Sequence, residues 1–242
     1  MRATCILFAV FVTGGLASST LPGTGGDSVP CNLLVKDDHK DLGYIGSVWN
    51  LYGQYGTLQP DALGALEVEF SYDPTSPKRL NVWTTNGPEN DLPVFGAETC
   101  SAMGFSTDGV DMNPGNMNYA YIVGTALAGP DSSVVSGPNS FTDRTGFDAP
   151  IQSSIWQYDP VTGALSPQWA NSDSSTPETH TLYAENEQTL LITSDPTALA
   201  EAMGTSYREV VIAYFLDDLL IYAFIHDSRI QNRHLCAFQG MR

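Results

Sequence analysis

The sequence predicts an all-β fold: antiparallel sheets in a sandwich or jelly-roll-like arrangement, with one short helix near 196–203. Three observations carry this expectation. Short runs rich in β-branched and aromatic residues recur along the chain. Clusters of Gly, Pro, Asn and Asp separate them at close spacing, among them DPTSP from Asp73, NGPEND from Asn86, NPGN from Asn113, SGPNS from Ser136 and DPVTGA from Asp159. Only one stretch carries a complete set of helix start and stop signals, and such a pattern is typical of sandwiches and barrels.

The N-terminus reads as a secretory signal over residues 1–19. Arg2 gives the positive charge, ILFAVFV over 6–12 gives the apolar run, and Ala17 and Ser19 supply the small residues of a cleavage site before Thr20. The run is far short of the roughly 20 apolar residues a spanning helix needs. Residues 20–30 (TLPGTGGDSVP) read as a flexible lead-in. The chain is therefore expected to be secreted, with no membrane attachment once the signal is removed.

A β-rich domain is expected over 31–209. Its strand candidates are YIGSVWNLY from Tyr44, ALEVEFS from Ala65, RLNVWT from Arg79, YAYIVGT from Tyr119, SIWQY from Ser154, LSPQW from Leu165, HTLYA from His180 and QTLLITS from Gln188. The segment around Asp159 predicts a hairpin with a definite register. If DPVTGA is its loop, Tyr158 faces Leu165 and Trp156 faces Pro167. Trp156, Tyr158, Leu165, Pro167 and Trp169 then share one apolar face. Gln157, Ser166 and Gln168 share the other, with Ile155 as the exception. Pro167 has no N–H to donate, so its strand should be an edge strand or bulged. The single helix is placed by Asp195 as N-cap, Pro196 at the first helical position and Gly204 as terminator.

The stretch 155–195, with I-W-Q-Y-D-P-V-T-G-A-L-S-P-Q-W-A-N-S-D followed by T-L-Y and L-L-I-T-S-D, resembles a segment of small secreted fungal, mushroom-type proteins without an established activity. The resemblance implies an extracellular or cell-wall setting and a β fold. It implies no catalytic residues.

After Glu209 the character changes. Residues 20–207 hold 5 basic and 23 acidic side chains, whereas 208–242 hold 4 of each. The run VVIAYFLDDLLIYAFI from Val210 is too interrupted by Asp217 and Asp218 to be a membrane anchor. The expectation is a self-sufficient body with a loosely attached tail over 210–242.

The formal charge of −17 opposes binding to nucleic acid and to anionic membranes. With Cys5 lost in the signal, Cys31, Cys100 and Cys236 remain, an odd number that outside the cell implies one disulfide, assigned to Cys31–Cys100. No spacing suits a zinc site and no cofactor is expected.

Two candidate sites stand out. Glu67 and Glu69 alternate with Leu66, Val68 and Phe70, so both carboxylates point from one face about 7 Å apart, within the range glycoside hydrolases use. The same alternation fits a solvated outer face. Asp108, Asp111, Asn113, Asn116 and Asn118 place oxygen ligands on a Gly/Pro-rich loop, as Ca²⁺ requires, though not at EF-hand spacing. Exposed aromatics could stack on sugars, with Trp49, Tyr52, Tyr55, Trp83, Trp156 and Trp169 as candidates; the shared apolar face puts Trp156 and Trp169 in the core. The leading expectation is a non-enzymatic secreted or wall-associated β-domain. The alternative is a carbohydrate-binding protein or glycoside hydrolase using Glu67 and Glu69, with cell-wall polysaccharide as the partner.

Overall fold

The computed structural model describes residues 31–73, 79–99, 109–129 and 132–215. Thirteen strands and two short helices follow in order. They are β1 (Cys31–Lys36), β2 (Asp41–Ile45), β3 (Leu58–Gln59), β4 (Glu67–Glu69), β5 (Trp83–Thr84), β6 (Val94–Thr99), β7 (Tyr119–Thr125), α1 (Ser140–Thr145), β8 (Ile151–Gln152), β9 (Trp156–Tyr158), β10 (Ala164–Pro167), β11 (His180–Ala184), β12 (Thr189–Thr193), α2 (Pro196–Met203) and β13 (Arg208–Phe215). The all-β class holds, but a barrel replaces the expected sandwich or jelly roll. Strands β1, β4, β5, β6, β7, β12, β11 and β13 form an antiparallel ring that pairing of β13 with β1 closes, from Asn32↔Phe215 to Lys36↔Val211. Closure removes the two open edges that a sandwich must protect.

The ring is forked. On one side β13 pairs with β1; on the other it pairs first with β11 through residues 208–210 and then with β10 through Ile212 and Ala213. The strand leading into β5 is likewise shared. Leu80 pairs with Trp156 of β9, whereas Trp83 pairs with Val94 of β6. The β9–β10 hairpin therefore bridges the gap between β13 and β5 and completes a second, smaller circuit through β4 and β1.

That hairpin has the register its sequence predicts: Leu165↔Tyr158, Ser166↔Gln157 and Pro167↔Trp156. Trp156, Tyr158, Leu165, Pro167 and Trp169 are all buried, while Gln157 and Ser166 are exposed. Ile155, the apolar exception on the polar side, is buried as well. Asp159 shapes the turn by accepting from Val161 N (2.9 Å) and from the Thr162 hydroxyl (2.7 Å), and these bonds hold its carboxyl below the usual range. Pro167 lies past the end of the β10–β13 pairing, where a missing N–H costs nothing.

Trp156 stacks on Phe95 at 5.2 Å and donates from Nε1 to the Phe95 carbonyl at 2.6 Å. Trp49 and Tyr55 continue the aromatic row on one side of Phe95; Phe70, Tyr72, Tyr158 and Tyr214 form a second aromatic group. Both lie in the main core with Leu33, Val68, Ile122, Leu190 and Ile212. Outside the barrel wall, α2 buries Leu199 against Leu182 and Leu191, and Phe141 of α1 packs with Val123. Every residue of β6 and of β12 is buried.

The helix at 196–203 forms as expected, with the Asp195 side chain accepting from Ala198 N and Gly204 left-handed at its end. The expected single helix is joined by α1, where Asn139 caps Thr142 N and Gly146 terminates; its SGPNS start reads equally well as a turn. The strand expected from Tyr44 keeps only its first residues, because the chain turns at Asn50, whose side chain accepts from Tyr52 N and Gln54 N.

β13 also crosses the boundary expected at Glu209. Val210, Ile212, Ala213 and Tyr214, assigned to a loose tail, are buried in the strand that closes both circuits. Residues 216–242 lie outside the described residues, as do residues 1–30, on which the expected signal and lead-in fall. A chain truncated after Glu209 is thus expected to lose cooperative thermal unfolding and to be degraded rapidly in limited proteolysis.

Candidate functional site

On β4, Val68 points into the core and Glu67 and Glu69 point outward, as strand alternation requires. Glu67 is exposed and Glu69 is half-buried. The Thr85 hydroxyl donates to Glu67 Oε2 (3.3 Å), and Glu67 N donates to Asn86 Oδ1 (2.7 Å), while Asn86 Nδ2 donates to the Ala65 carbonyl (2.8 Å). The half-buried Trp83 lies directly opposite Glu69 on β5, again on the outer face because Val82 points inward. The two carboxylates and the indole therefore form one patch on a convex wall. Among the other aromatic candidates Tyr52 is exposed, Trp49 is half-buried, and Tyr55, Trp156 and Trp169 are core residues.

The loop 109–118 contains the described Ca²⁺ candidates; Asp108 lies outside the described residues. The Asp111 carboxylate accepts from Ser172 N (2.7 Å) and the Ser172 hydroxyl (2.6 Å). Asn113 Oδ1 accepts from Asn171 Nδ2 at 3.4 Å, and Asn116 and Asn118 donate to the Asp111 carbonyl. The Asp111 and Asn113 oxygens stitch the loop to the chain that leaves β10, and the Asn116 and Asn118 amides brace the loop on itself. No group of three His, Cys, Asp or Glu side chains is placed to hold a metal among the described residues.

The same loop explains the hairpin motif physically. Trp169 Nε1 donates to the Val110 carbonyl (3.3 Å). Buried Asn171 pairs with both backbone groups of Met112, accepting from N at 2.8 Å and donating to O at 2.9 Å. The Thr193 hydroxyl donates to the Asn118 carbonyl (2.8 Å), and Asp195 Oδ2 accepts from Gly115 N (2.8 Å). Backbone bonds to Ala198 and Gly115 hold the Asp195 carboxyl below its usual range. The W-x-N and T-x-D elements thus satisfy the backbone of one long loop that has no strand partner there.

Two features escape the sequence. His180 Nδ1 and Glu209 Oε1 lie 2.6 Å apart across β11 and β13. A histidine oriented by a carboxylate is two thirds of a nucleophilic triad. The residue opposite it on β12 is Thr193, however, and that hydroxyl already donates to Asn118 O.

The other is Glu98, fully buried on the outer side of β6 between Tyr121 of β7 and Ile151 of β8. Neither carboxyl oxygen has a hydrogen-bond partner. Burial alone pushes its pKa up to about 8, so the group is a neutral acid at neutral pH. Being wholly enclosed, it cannot reach a substrate. Strand alternation alone would send it to solvent.

Cys31 is buried at the start of β1. Cys100 lies outside the described residues, and so does the pairing expected between them. Comparison with known protein families, with curated proteins and with solved structures finds no match.

Two of these side chains have measurable roles. Asn171→Ala leaves the buried Met112 N–H and C=O unpaired and is expected to cost on the order of 2–3 kcal/mol in denaturant unfolding. It should also open the loop 109–118 to proteolysis. For Glu98, the folded-state pKa is raised, so its stabilising effect is complete below the ordinary value of 4.5 and is lost as pH rises to about 8. Glu98→Gln should remove that decline, roughly 1.4 kcal/mol per pH unit inside the window, from the stability–pH profile.

Proposed function

We propose that the chain is a secreted, non-enzymatic β-barrel domain that rests against extracellular polysaccharide through the wall formed by β4 and β5. The observation that carries this reading is the placement of Glu67, Glu69 and Trp83 side by side on one convex outer face. An aromatic ring with neighbouring carboxylate acceptors suits a sugar chain lying flat, with its C–H face on the indole and its hydroxyls donating to the carboxylates.

Hydrolysis asks for something different. A glycoside hydrolase sets its two carboxyl groups on either side of the scissile bond, so that one protonates the leaving oxygen while the other acts on the sugar from the opposite face. Residues two apart on one strand approach a ligand from the same side. The secretory features of residues 1–19 and the acidic surface support the extracellular setting, where a charge of −17 keeps the domain soluble.

Sedimentation with insoluble chitin, β-glucan and cellulose tests the proposal. The intact protein is expected to be retained on at least one polymer without releasing soluble sugar. Trp83→Ala should weaken retention by about tenfold, the cost of losing an aromatic anchor. Sugar release that Glu67→Gln abolishes would establish the hydrolase reading instead.

A further inference from the structure

The bend after β5 carries the one Asn-Gly pair of the whole chain, Asn86 and Gly87. Each residue is there for a separate structural reason. Thr85 N donates to the Glu67 carbonyl, and beyond it the Asn86 side chain takes over the pairing with β4. Its Oδ1 accepts from Glu67 N at 2.7 Å and its Nδ2 donates to the Ala65 carbonyl at 2.8 Å. The amide thus supplies one acceptor and one donor, as a backbone peptide would. Gly87 is required by close approach: a Cβ there would lie 2.6 Å from the Thr84 hydroxyl oxygen and 3.4 Å from that of Tyr55. The fold therefore sets the two residues side by side.

That juxtaposition has a covalent consequence. A glycine leaves the backbone nitrogen after Asn86 unshielded by a Cβ. The Gly87 N–H also has no hydrogen-bond acceptor among the described residues. This nitrogen and the Asn86 side-chain carbon belong to adjoining residues, so attack of one on the other is intramolecular. The Glu67 N–H already bonds Oδ1, the atom that gains negative charge when the nitrogen adds. Both residues are half-buried, which admits the water that completes the reaction. The chain's two Asn-Ser pairs are held differently. Ser172 N donates to Asp111 Oδ1 at 2.7 Å, so the nitrogen beside Asn171 is occupied, and Asn139 is wholly buried.

We propose that Asn86 is a site of spontaneous deamidation in the folded protein. Gly87 N forms a bond to Asn86 Cγ, the Cγ–Nδ2 bond breaks, and the Gly87 proton leaves with Nδ2 as ammonia. Water then opens the resulting succinimide at either carbonyl, giving aspartate or isoaspartate at this position. Neither product keeps the donor to the Ala65 carbonyl, and each adds a carboxylate beside Glu67. Isoaspartate also lengthens the backbone next to Gly87. The modification loosens β5 from β4, whatever the wall binds.

The test holds the full protein folded at mildly alkaline pH and follows each asparagine by peptide mass mapping after digestion in acid. Asn86 is expected to take on the mass of the acid first, with isoaspartate confirmed by enzymatic methylation, while Asn139 and Asn171 remain amides. The aged protein and Asn86→Asp should both unfold at a lower thermal midpoint than fresh protein. Asn86→Gln, whose amide would have to close a larger ring, should stay unmodified. An Asn86 that survives in the folded protein, whether or not it is converted once urea unfolds the chain, would overturn the proposal. So would conversion to aspartate without isoaspartate, which direct hydrolysis gives, or conversion of Asn139 or Asn171 at the same rate. Modified protein with the midpoint of fresh protein would overturn the loosening of β5 from β4.

Discussion

Trp156 ties together parts of the chain that would otherwise separate. Its backbone pairs with Leu80, its ring stacks on Phe95, and its indole N–H bonds the Phe95 carbonyl. One side chain thus joins the hairpin to the strand entering β5 and to β6, at the point where the barrel wall divides. The stacked contact supplies burial, and the hydrogen bond fixes the ring's orientation, because a buried indole N–H without an acceptor would be costly. With that orientation set, Tyr158 and Leu165 fall into the same core as Val68 and Ile212. The second circuit is then a consequence of the first.

Local features of the fold were legible in the sequence wherever short-range chemistry decides them. The Asp159 turn sets the hairpin register within a few residues, and alternation then assigns every face. Asp195, Pro196 and Gly204 mark α2 in the same local manner. Barrel closure is different in kind. It depends on β1 meeting β13, and nothing in either segment announces the other. Without that pairing the same strands read as a sandwich. The shift in charge after Glu209 misleads for a related reason: β13 alternates in burial, with Val210, Ile212 and Tyr214 inward and Val211 exposed, but Val211 and Ala213 on its outer side are apolar too, so the run reads as an apolar tail. β6 escapes notice similarly, since all six of its residues are buried and no in–out alternation marks it.

The candidate site was half legible. The outward direction of Glu67 and Glu69 follows from alternation alone, and the folded strand has it. Trp83 is an aromatic candidate from the sequence, but its place beside them could not be read, because register across β4 and β5 is set by Asn86 binding Ala65 and Glu67 rather than by a tight hairpin. The Ca²⁺ candidates show the opposite case. Asp, Asn and Gly in a loop are equally suited to ligating a cation and to bonding a backbone, and Asp111, Asn116 and Asn118 bond backbone. Glu98 shows a limit of pattern reading, since its burial arises from what covers the wall and not from its own strand.

The place of β13 governs how this chain can assemble as it is made. Asn32 has its partner in Phe215, so β1 emerges first and must wait for nearly the whole barrel to be synthesised. Until then β1 presents one unpaired backbone edge, the side that β13 will take, and such an edge attracts other chains. Such long-range pairing slows folding, because the ends must find each other before the contacts reward it. Order can nevertheless begin in the middle: the hairpin of β9 and β10 and the neighbouring pair of β11 and β12 need only local contacts. Arrival of β13 would then lock both pairs to β1 in a single late event.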